Sequence, residues 1–516
     1  MSWLDNLISW LSPARGIQRM LAKQTLEELQ KNYDAGSFGR VNNAWNVFND
    51  SGEMTDRNYR DTVRARARDL ERNSDIMQSV VRAYKRNTIG TGYRLQAKTD
   101  NESLNADIER LWKRWCRARN CDVTGMQSLS QLMRMAVERK KVDGGILFVK
   151  RYTEGGMLPF KIQMLEVDEL AADVVKPRNP EARVIGGIEL NSYNRPLGYW
   201  IRQYSLDGFV LTEPVYIDEK DVIFYHSKTR PSQIREMSDM SPTVTRIRDC
   251  NEFMTAVSVK ERVEACLAVF IKRTTPTLNG IPYRQNGIPY RQNGGGDSRE
   301  SYEGKTLVPG MIKELNAGDE IQVVNPSGQS QDAASYIKLQ QRMIAAGQGL
   351  SYEASSRDMS QSNYSSARQG SIEDELTYLE EEEEILAVLD EIYETFIISC
   401  ELAGLLRMPG FWADKDSYFE HEWNRAPKKW IDPQKESNAT KTALQTGIKT
   451  YKQIAAEVGR DWKSQLDDMA EVKAYAESIG LDIDQILYGK TGGEEVNAED
   501  DTGSGLNPDD EPAEAE

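Results

Sequence analysis

The chain has 516 residues, room for two to four domains, and a formal charge of −16 that is unevenly spread. Residues 371–403 hold 12 acidic side chains and residues 491–516 hold 10, with no basic residue in either; setting these 22 aside leaves a body of net charge +6. That balance argues against a strongly basic nucleic-acid clamp, whose affinity comes from neutralised phosphates, and five scattered cysteines (Cys116, Cys121, Cys250, Cys266, Cys400) argue against a disulfide-stapled secreted scaffold.

Residues 1–29 suggest amphipathic helices, with Trp3, Leu4, Leu7, Ile8 and Leu11 on one side of the first. Asp5 stands where a signal peptide needs basic residues, and no window reaches the roughly 18 apolar residues of a spanning helix, so no membrane role is expected. Residues 54–95 are rich in arginine, including Arg57, Arg60, Arg64, Arg66, Arg68 and Arg72. Acids are interleaved, so pairing between subunits competes with DNA binding as an explanation. Two amphipathic helices follow from the apolar spacing, the second capped by Asn73-Ser74-Asp75. The run Thr88-Ile89-Gly90-Thr91-Gly92 stops it and feeds a strand.

Further helices are expected over 103–117 and Leu129–Val142. Six strands then follow: Ile146–Val149, Lys161–Leu165, Gly187–Leu190, Pro196–Ile201, Val215–Ile217 and Val222–Tyr225, with a hairpin turn at Asn191–Pro196. Glu166 and Asp168 point the same way on an extended chain, but no third acid or histidine accompanies them, so a metal site is not expected. Cys116 and Cys121 likewise lack a second pair of zinc ligands. Residues 241–273 read as one helix opened by Ser241-Pro242.

Residues 274–327 form a small module or linker. Asn279–Gln285 is repeated unchanged at 286–292, and a hairpin is expected between 310–315 and 320–324 around Asn316–Asp319. Gly304-Lys305-Thr306 and Gly489-Lys490-Thr491 lack the earlier glycine of a phosphate loop: Arg299 and Asp484 occupy that position. Neither a phosphate loop nor a cluster of catalytic acids supports a packaging ATPase or nuclease, one alternative; a DNA-binding scaffold protein is the other.

Residues 328–350 read as a helix with Tyr336, Leu339, Met343 and Ala346 on one face, stopped by Gly347 and Gly349. The stretch 351–370 is almost free of aliphatic side chains and reads as a polar loop of about 20 residues, a length that is usually functional or disordered. A long helix is expected from Ser371 to about Ala403. Its Glu380–Glu384 run is either a solvated face or a surface that repels DNA. Short helices follow in 407–490, one after Asp432-Pro433, one capped by Thr450 and one after Gly459. The acidic tail 491–516 is expected to be disordered.

Several of these segments share one resemblance. Tyr352-Glu353, Asp358-Met359-Ser360 and Asn363–Arg368 resemble the signature of lambda-like tailed-phage portal proteins. So do the Arg-Asn-Ser-Asp helix start at 72–75 with its Gly-Thr-Gly-Tyr exit, and Glu422-Trp423-Asn424-Arg425-Ala426-Pro427 followed by Asp432-Pro433-Gln434-Lys435-Glu436. The family usually has Gly where Glu236 stands. The resemblance implies an α+β portal-type subunit forming a ring, with twelve copies expected. Its parts would be an α/β wing (30–240), a helical stem (241–273 and 328–350), a small clip module (274–327), a channel loop (351–370), a long wing helix (371–406) and a helical C-terminal cap (407–490).

It also implies a conduit for double-stranded DNA at one capsid vertex during packaging and ejection. The implied partners are copies of itself, the DNA, the terminase motor, capsid and scaffold proteins, and head–tail adaptors. Assembly would take place in the host cytoplasm. No catalytic residue, metal or cofactor is implied. Arg357, Asn363, Tyr364, Ser365, Ser366 and Arg368 are the residues expected nearest DNA.

Overall fold

The computed structural model describes residues 49–205, 212–265, 269–273, 319–323, 330–360, 363–425 and 433–481. The amphipathic N-terminus, the tandem repeat, the phosphate-loop mimics, nearly all of the 274–327 module and the acidic tail lie outside them. Two compact units divide the chain. The smaller contains residues 1–61 and 228–235, and the larger contains the rest.

In the described part of the smaller unit, helix α1 (Gly52–Asp56) is capped by Ser51. Its buried Glu53 accepts two hydrogen bonds of 3.0 Å from Arg60 and one from the Arg235 amide, also 3.0 Å. Gly52 donates its amide to Ser232 Oγ at 2.8 Å. A carboxylate with that many donors is held in one geometry, which fixes the 230–235 segment against α1.

The larger unit continues α2 (Arg60–Asn73) and adds α3 (Asp75–Thr88), with Ser74 as N-cap. Then come β1 (Arg94–Ala97), α4 (Glu102–Trp115) and α5 (Leu129–Asp143). The expected strands form two antiparallel sheets. One has three strands, with β2 (Gly145–Tyr152) between β3 (Phe160–Glu166) and β8 (Val222–His226). The other runs β4 (Arg183–Ile185), β5 (Ile188–Leu190), β6 (Pro196–Ile201) and β7 (Val215–Asp218) in order. Every residue from Gly145 to Val149 is buried, so β2 is covered on both faces, as its unbroken apolar run requires. The β5–β6 turn is tied by Asn191 Oδ1, which accepts the Tyr193 and Arg195 amides at 2.9 Å each.

Next come α6 (Val244–Ala265), β9 (Val269–Arg273), β10 (Asp319–Val323) and α7 (Ser330–Gly347). One expectation fails here. The helix expected to run to Arg273 ends at Ala265, and Val269–Arg273 is instead a strand, β9, that pairs antiparallel with β10; residues 310–315, the other arm of the expected hairpin, lie outside the described residues. The β-branched and aromatic sequence Val269-Phe270-Ile271 favours an extended chain, and the apolar spacing that suggested one long helix could not tell the two apart.

The short helix α8 (Tyr352–Ser356) leads to the 39-residue α9 (Tyr364–Leu402), about 58 Å long. The expected 20-residue loop is therefore mostly helical, and α9 starts seven residues before Ser371. Asn363 explains the early start: its Oδ1 accepts the Ser366 amide at 2.8 Å, while Ser366 Oγ accepts the Asn363 amide at 3.1 Å. This reciprocal cap satisfies two amides at the helix end and offsets the weak helix propensity of the Ser residues.

The far half of α9 threads the core. Ile385, Leu389, Ile392, Tyr393, Phe396, Ile397 and Cys400 are all buried. Trp112 and Trp115 of α4 lie 5.1 and 5.5 Å from the Phe396 ring, and Trp115 stacks on Phe160 at 5.2 Å. The Trp115 indole donates to the Phe160 carbonyl at 3.1 Å, so the buried ring leaves no polar atom unsatisfied. Strand β11 (His421–Asn424) pairs antiparallel with β1 and brings two of the family-like sequences side by side. Helices α10 (Pro433–Gln445), α11 (Tyr451–Glu457) and α12 (Trp462–Ser478) close the described chain, α11 capped by Thr450 and α12 by Asp461.

Candidate functional site

The polar stretch 351–370 hangs from a buried ionic network. Lys140 and Lys141, at the end of α5, reach Glu381 of α9 at 2.7 and 2.6 Å. Tyr225 of β8 donates to the same carboxylate, and Lys140 also pairs with Glu384. Lys141 bonds Asp239 at 3.0 Å and lies over the Tyr84 ring at 4.2 Å. Burial alone would raise the Glu381 carboxyl, but Lys141 and Lys140 outweigh it and hold it below the usual range. Burial likewise opposes the charge on Lys141, and Asp239 and Glu381 overcome it, so its ammonium is held well above the ordinary value.

From this network the segment is built outward. The Tyr84 hydroxyl donates to the Gln348 carbonyl, and Gln348 donates to the Asp239 carbonyl at 3.2 Å. Thr377 Oγ1 donates to the Gly349 carbonyl at 2.7 Å. Asp374 accepts the Ser351 amide at 2.6 Å and its hydroxyl at 2.7 Å. Ser79 Oγ donates to the Ser355 carbonyl. Both ends of α8 are thereby fixed.

Beyond α8 the polar groups face solvent. Arg357, Asn363, Ser365, Ser366 and Arg368 are exposed, and the Tyr364 side chain lies outside the described residues. Arg357 closes α8 in the left-handed region, with φ +59°, a conformation that disfavours any side chain. The six candidates thus fall into two places: one at the C-cap of α8, and five in the N-cap and first turns of α9. The start of α9 offers the Arg368 guanidinium, two serine hydroxyls and the Asn363 amide near the positive end of a long helix dipole, which favours anions. Along α9 the carboxylates begin further on, at Glu373, while Glu353 and Asp358 lie within the 351–370 stretch itself.

Two other readings are corrected. Glu380–Glu384 is neither wholly solvated nor wholly repulsive: Glu381 and Glu382 are buried, and Arg425 bonds Glu382 at 2.8 Å, while Glu380 and Glu383 are exposed. Part of the arginine-rich stretch pairs inside its own chain, while Arg57, Arg66, Arg72 and Arg82 stay exposed. Arg64 bonds Glu236 at 2.9 Å and Asp168 at 3.2 Å. Arg68 bonds Asp143 at 2.7 Å and Asp168 at 2.6 Å. Glu166 and Asp168 are therefore counter-ions to arginine. Among the described residues no cluster of three or more His, Cys, Asp or Glu side chains could hold a metal. Glu236, which replaces the glycine usual in the resembled family, is fully buried against Arg64.

The sequence reading missed His421. Its ring nitrogens lie 2.7 Å from the Phe419 carbonyl and 3.0 Å from Asp390, and Trp423 donates to the same carboxylate at 2.7 Å. Both neighbours of the imidazole are acceptors, so only the doubly protonated ring satisfies both. Burial would lower its pKa, but Asp390 and the Phe419 carbonyl raise it above 6.5. A raised folded value stabilises fully below 6.5, and the contribution is lost as pH rises through the folded value. The difference in melting temperature between wild type and His421→Gln is therefore expected to be largest near pH 6 and to close with increasing alkalinity in a pH series of thermal melts.

The family described as phage portal protein, lambda family, matches residues 38–381. The probable portal protein of Halomonas phage phiHAP-1 is 25% identical over 442 residues, covering 82% of each chain. Portal protein B of Escherichia phage lambda is 18% identical over 440 residues, covering 77% of this chain and 81% of its own. A chain in the neck of an empty gene transfer agent particle aligns with a TM-score of 0.45 at 13% identity, covering 76% of this chain and 93% of that one. The match over two thirds of the sequence defines a structural component of the virion rather than an enzyme. The chain belongs to the lambda family of phage portal proteins. Membership sets aside the packaging ATPase and nuclease reading. No described helix is long and apolar enough to cross a membrane.

Proposed function

We propose that copies of this chain form a ring, of twelve, at one capsid vertex, and that residues 351–370 face the double-stranded DNA passing through it. One observation carries the reading: a portal-family chain exposes a segment poor in aliphatic side chains, bearing Arg357 and Arg368, on a base fixed by the Lys140–Lys141–Glu381 network. Two arginines balanced by two acids, Glu353 and Asp358, in twenty residues, followed by an acidic helix, suit a surface that touches phosphates and lets them go. Tight binding would need many more neutralised phosphates.

In this reading residues 30–240 are the wing, α6 and α7 the stem, 274–327 the clip and 407–490 a cap. The long wing helix is α9, with its first turns in the channel segment. The terminase motor, head–tail adaptors, and capsid and scaffold proteins dock on the assembled ring, which forms in the host cytoplasm.

The test is Arg357→Ala with Arg368→Ala and Asn363→Ala, measured as DNA retained per particle after complementation of a portal-deficient phage. Retention is expected to fall by about tenfold as phosphate contacts are lost from every copy. Asn363→Ser, which keeps a helix cap, serves as control, because Asn363→Ala also costs about 1 kcal/mol of helix stability. Unchanged retention in the triple variant removes the channel assignment.

A further inference from the structure

Two helices of the larger unit carry apolar rows that no other described residue covers fully. On α9, Ile372, Leu376 and Leu379 are 47%, 54% and 42% exposed. Their i, i+4, i+7 spacing places them on one face, and the exposed Glu383 continues that face one turn on. On α7, Tyr336, Leu339 and Met343 are 43%, 55% and 48% exposed, at i, i+3, i+7, with the exposed Arg342 alongside. Tyr336 is already oriented by the edge of the Phe253 ring at 4.7 Å.

Each row spans about 10 Å of helix axis. Three large apolar side chains in line on a water-facing helix mark an interaction surface, unlike the scattered ones ordinary on any protein. The rows match in length and chemistry and carry opposite charges at their flanks. Either row paired with itself would bring like charges together.

We infer that the α9 row of one copy docks on the α7 row of a second copy, with Glu383 facing Arg342. Joining two different surfaces makes the contact heterologous, the kind that closes into a ring when its rotation allows. The inference rests on the ring reading and names the contact that builds it.

The test uses the full chain under oxidising cross-linking. Leu339→Cys chains mixed with Leu376→Cys chains are expected to give a covalent dimer, and each variant alone to give none. Glu383→Arg and Arg342→Glu are each expected to weaken assembly about fivefold per contact, and the combination to recover most of it, read by native mass spectrometry across a concentration series. If wild-type rings form while the mixture does not cross-link and the charge reversals change nothing, the contact is elsewhere and the ring reading stands. Cross-linking of Leu376→Cys chains alone shows a self-paired face and overturns the inference. Wild-type chains that stay monomeric under all assembly conditions overturn the ring reading itself.

Discussion

Glu381→Ala is expected to lose about 3–5 kcal/mol of subunit stability, because it strands two buried ammonium groups. The Lys140 and Lys141 side chains are 2% and 10% exposed, and Glu381 is the carboxylate they share. Glu384 and Asp239 remain, but Glu384 is nearly half exposed and Asp239 meets only Lys141. Against a total stability of about 5–15 kcal/mol for a typical domain, this is a large fraction. Glu381→Gln is expected to lose less, since its amide oxygen still accepts bonds while the charge is gone. The sign of the pH dependence follows from the depressed carboxyl: its contribution is full above the ordinary glutamate value of 4.5 and is lost as pH falls through the lower folded value. Acid titration of the melting temperature should therefore show a drop in wild type that is blunted in Glu381→Gln. A wild-type profile that parallels the variant would remove the network from the account of stability.

Gly144→Ala is expected to cost about 2–5 kcal/mol, from left-handed backbone strain together with overpacking. Gly144 ends α5 with φ +93° and donates its amide to the Lys140 carbonyl at 2.9 Å. A Cβ there would lie 2.5 Å from the Met237 carbonyl carbon and 2.6 Å from its oxygen, and backbone cannot swing aside as a side-chain tip would. Gly155 provides the control: its φ is +87° and nothing lies within 4 Å of its would-be Cβ. Gly155→Ala should show the backbone cost alone, about 1–2 kcal/mol. Chemical denaturation of the two variants separates the terms, and equal losses would mean the close approach to Met237 is relieved at no cost.

What could be read from the sequence depended on how local the cause was. The strands 146–149, 161–165 and 222–225 were visible because β-branched and aromatic runs sit between turn residues. The Ser74 and Thr450 caps were visible because a cap is written within four residues. The start of α9 was missed although Asn363 and Ser366 stand at capping spacing, because a serine-rich run looks like a loop when propensity alone is weighed.

The partners of the charged runs were hidden by distance along the chain. Arg64 finds Glu236 172 residues away, and Lys140 finds Glu381 241 residues away. No window reading can pair them. For that reason the arginines suggested contacts between subunits, and the glutamates suggested open water or a repulsive wall. The candidate site itself was legible as composition, but its division between a helix end and a helix start was not.

Mechanically, α9 is a beam gripped firmly along most of its shaft and more lightly at its tip. The firm grip runs from the Asp374–Ser351 tie through Glu381 to the aromatic cluster around Phe396, while residues 364–373, about 15 Å of helix, are held more lightly, with Gly370 against Ser351. Sideways deflection of such a beam grows with the cube of its unsupported length. A transverse load on the tip is therefore absorbed mostly within those ten residues, while the anchored shaft keeps its bearing.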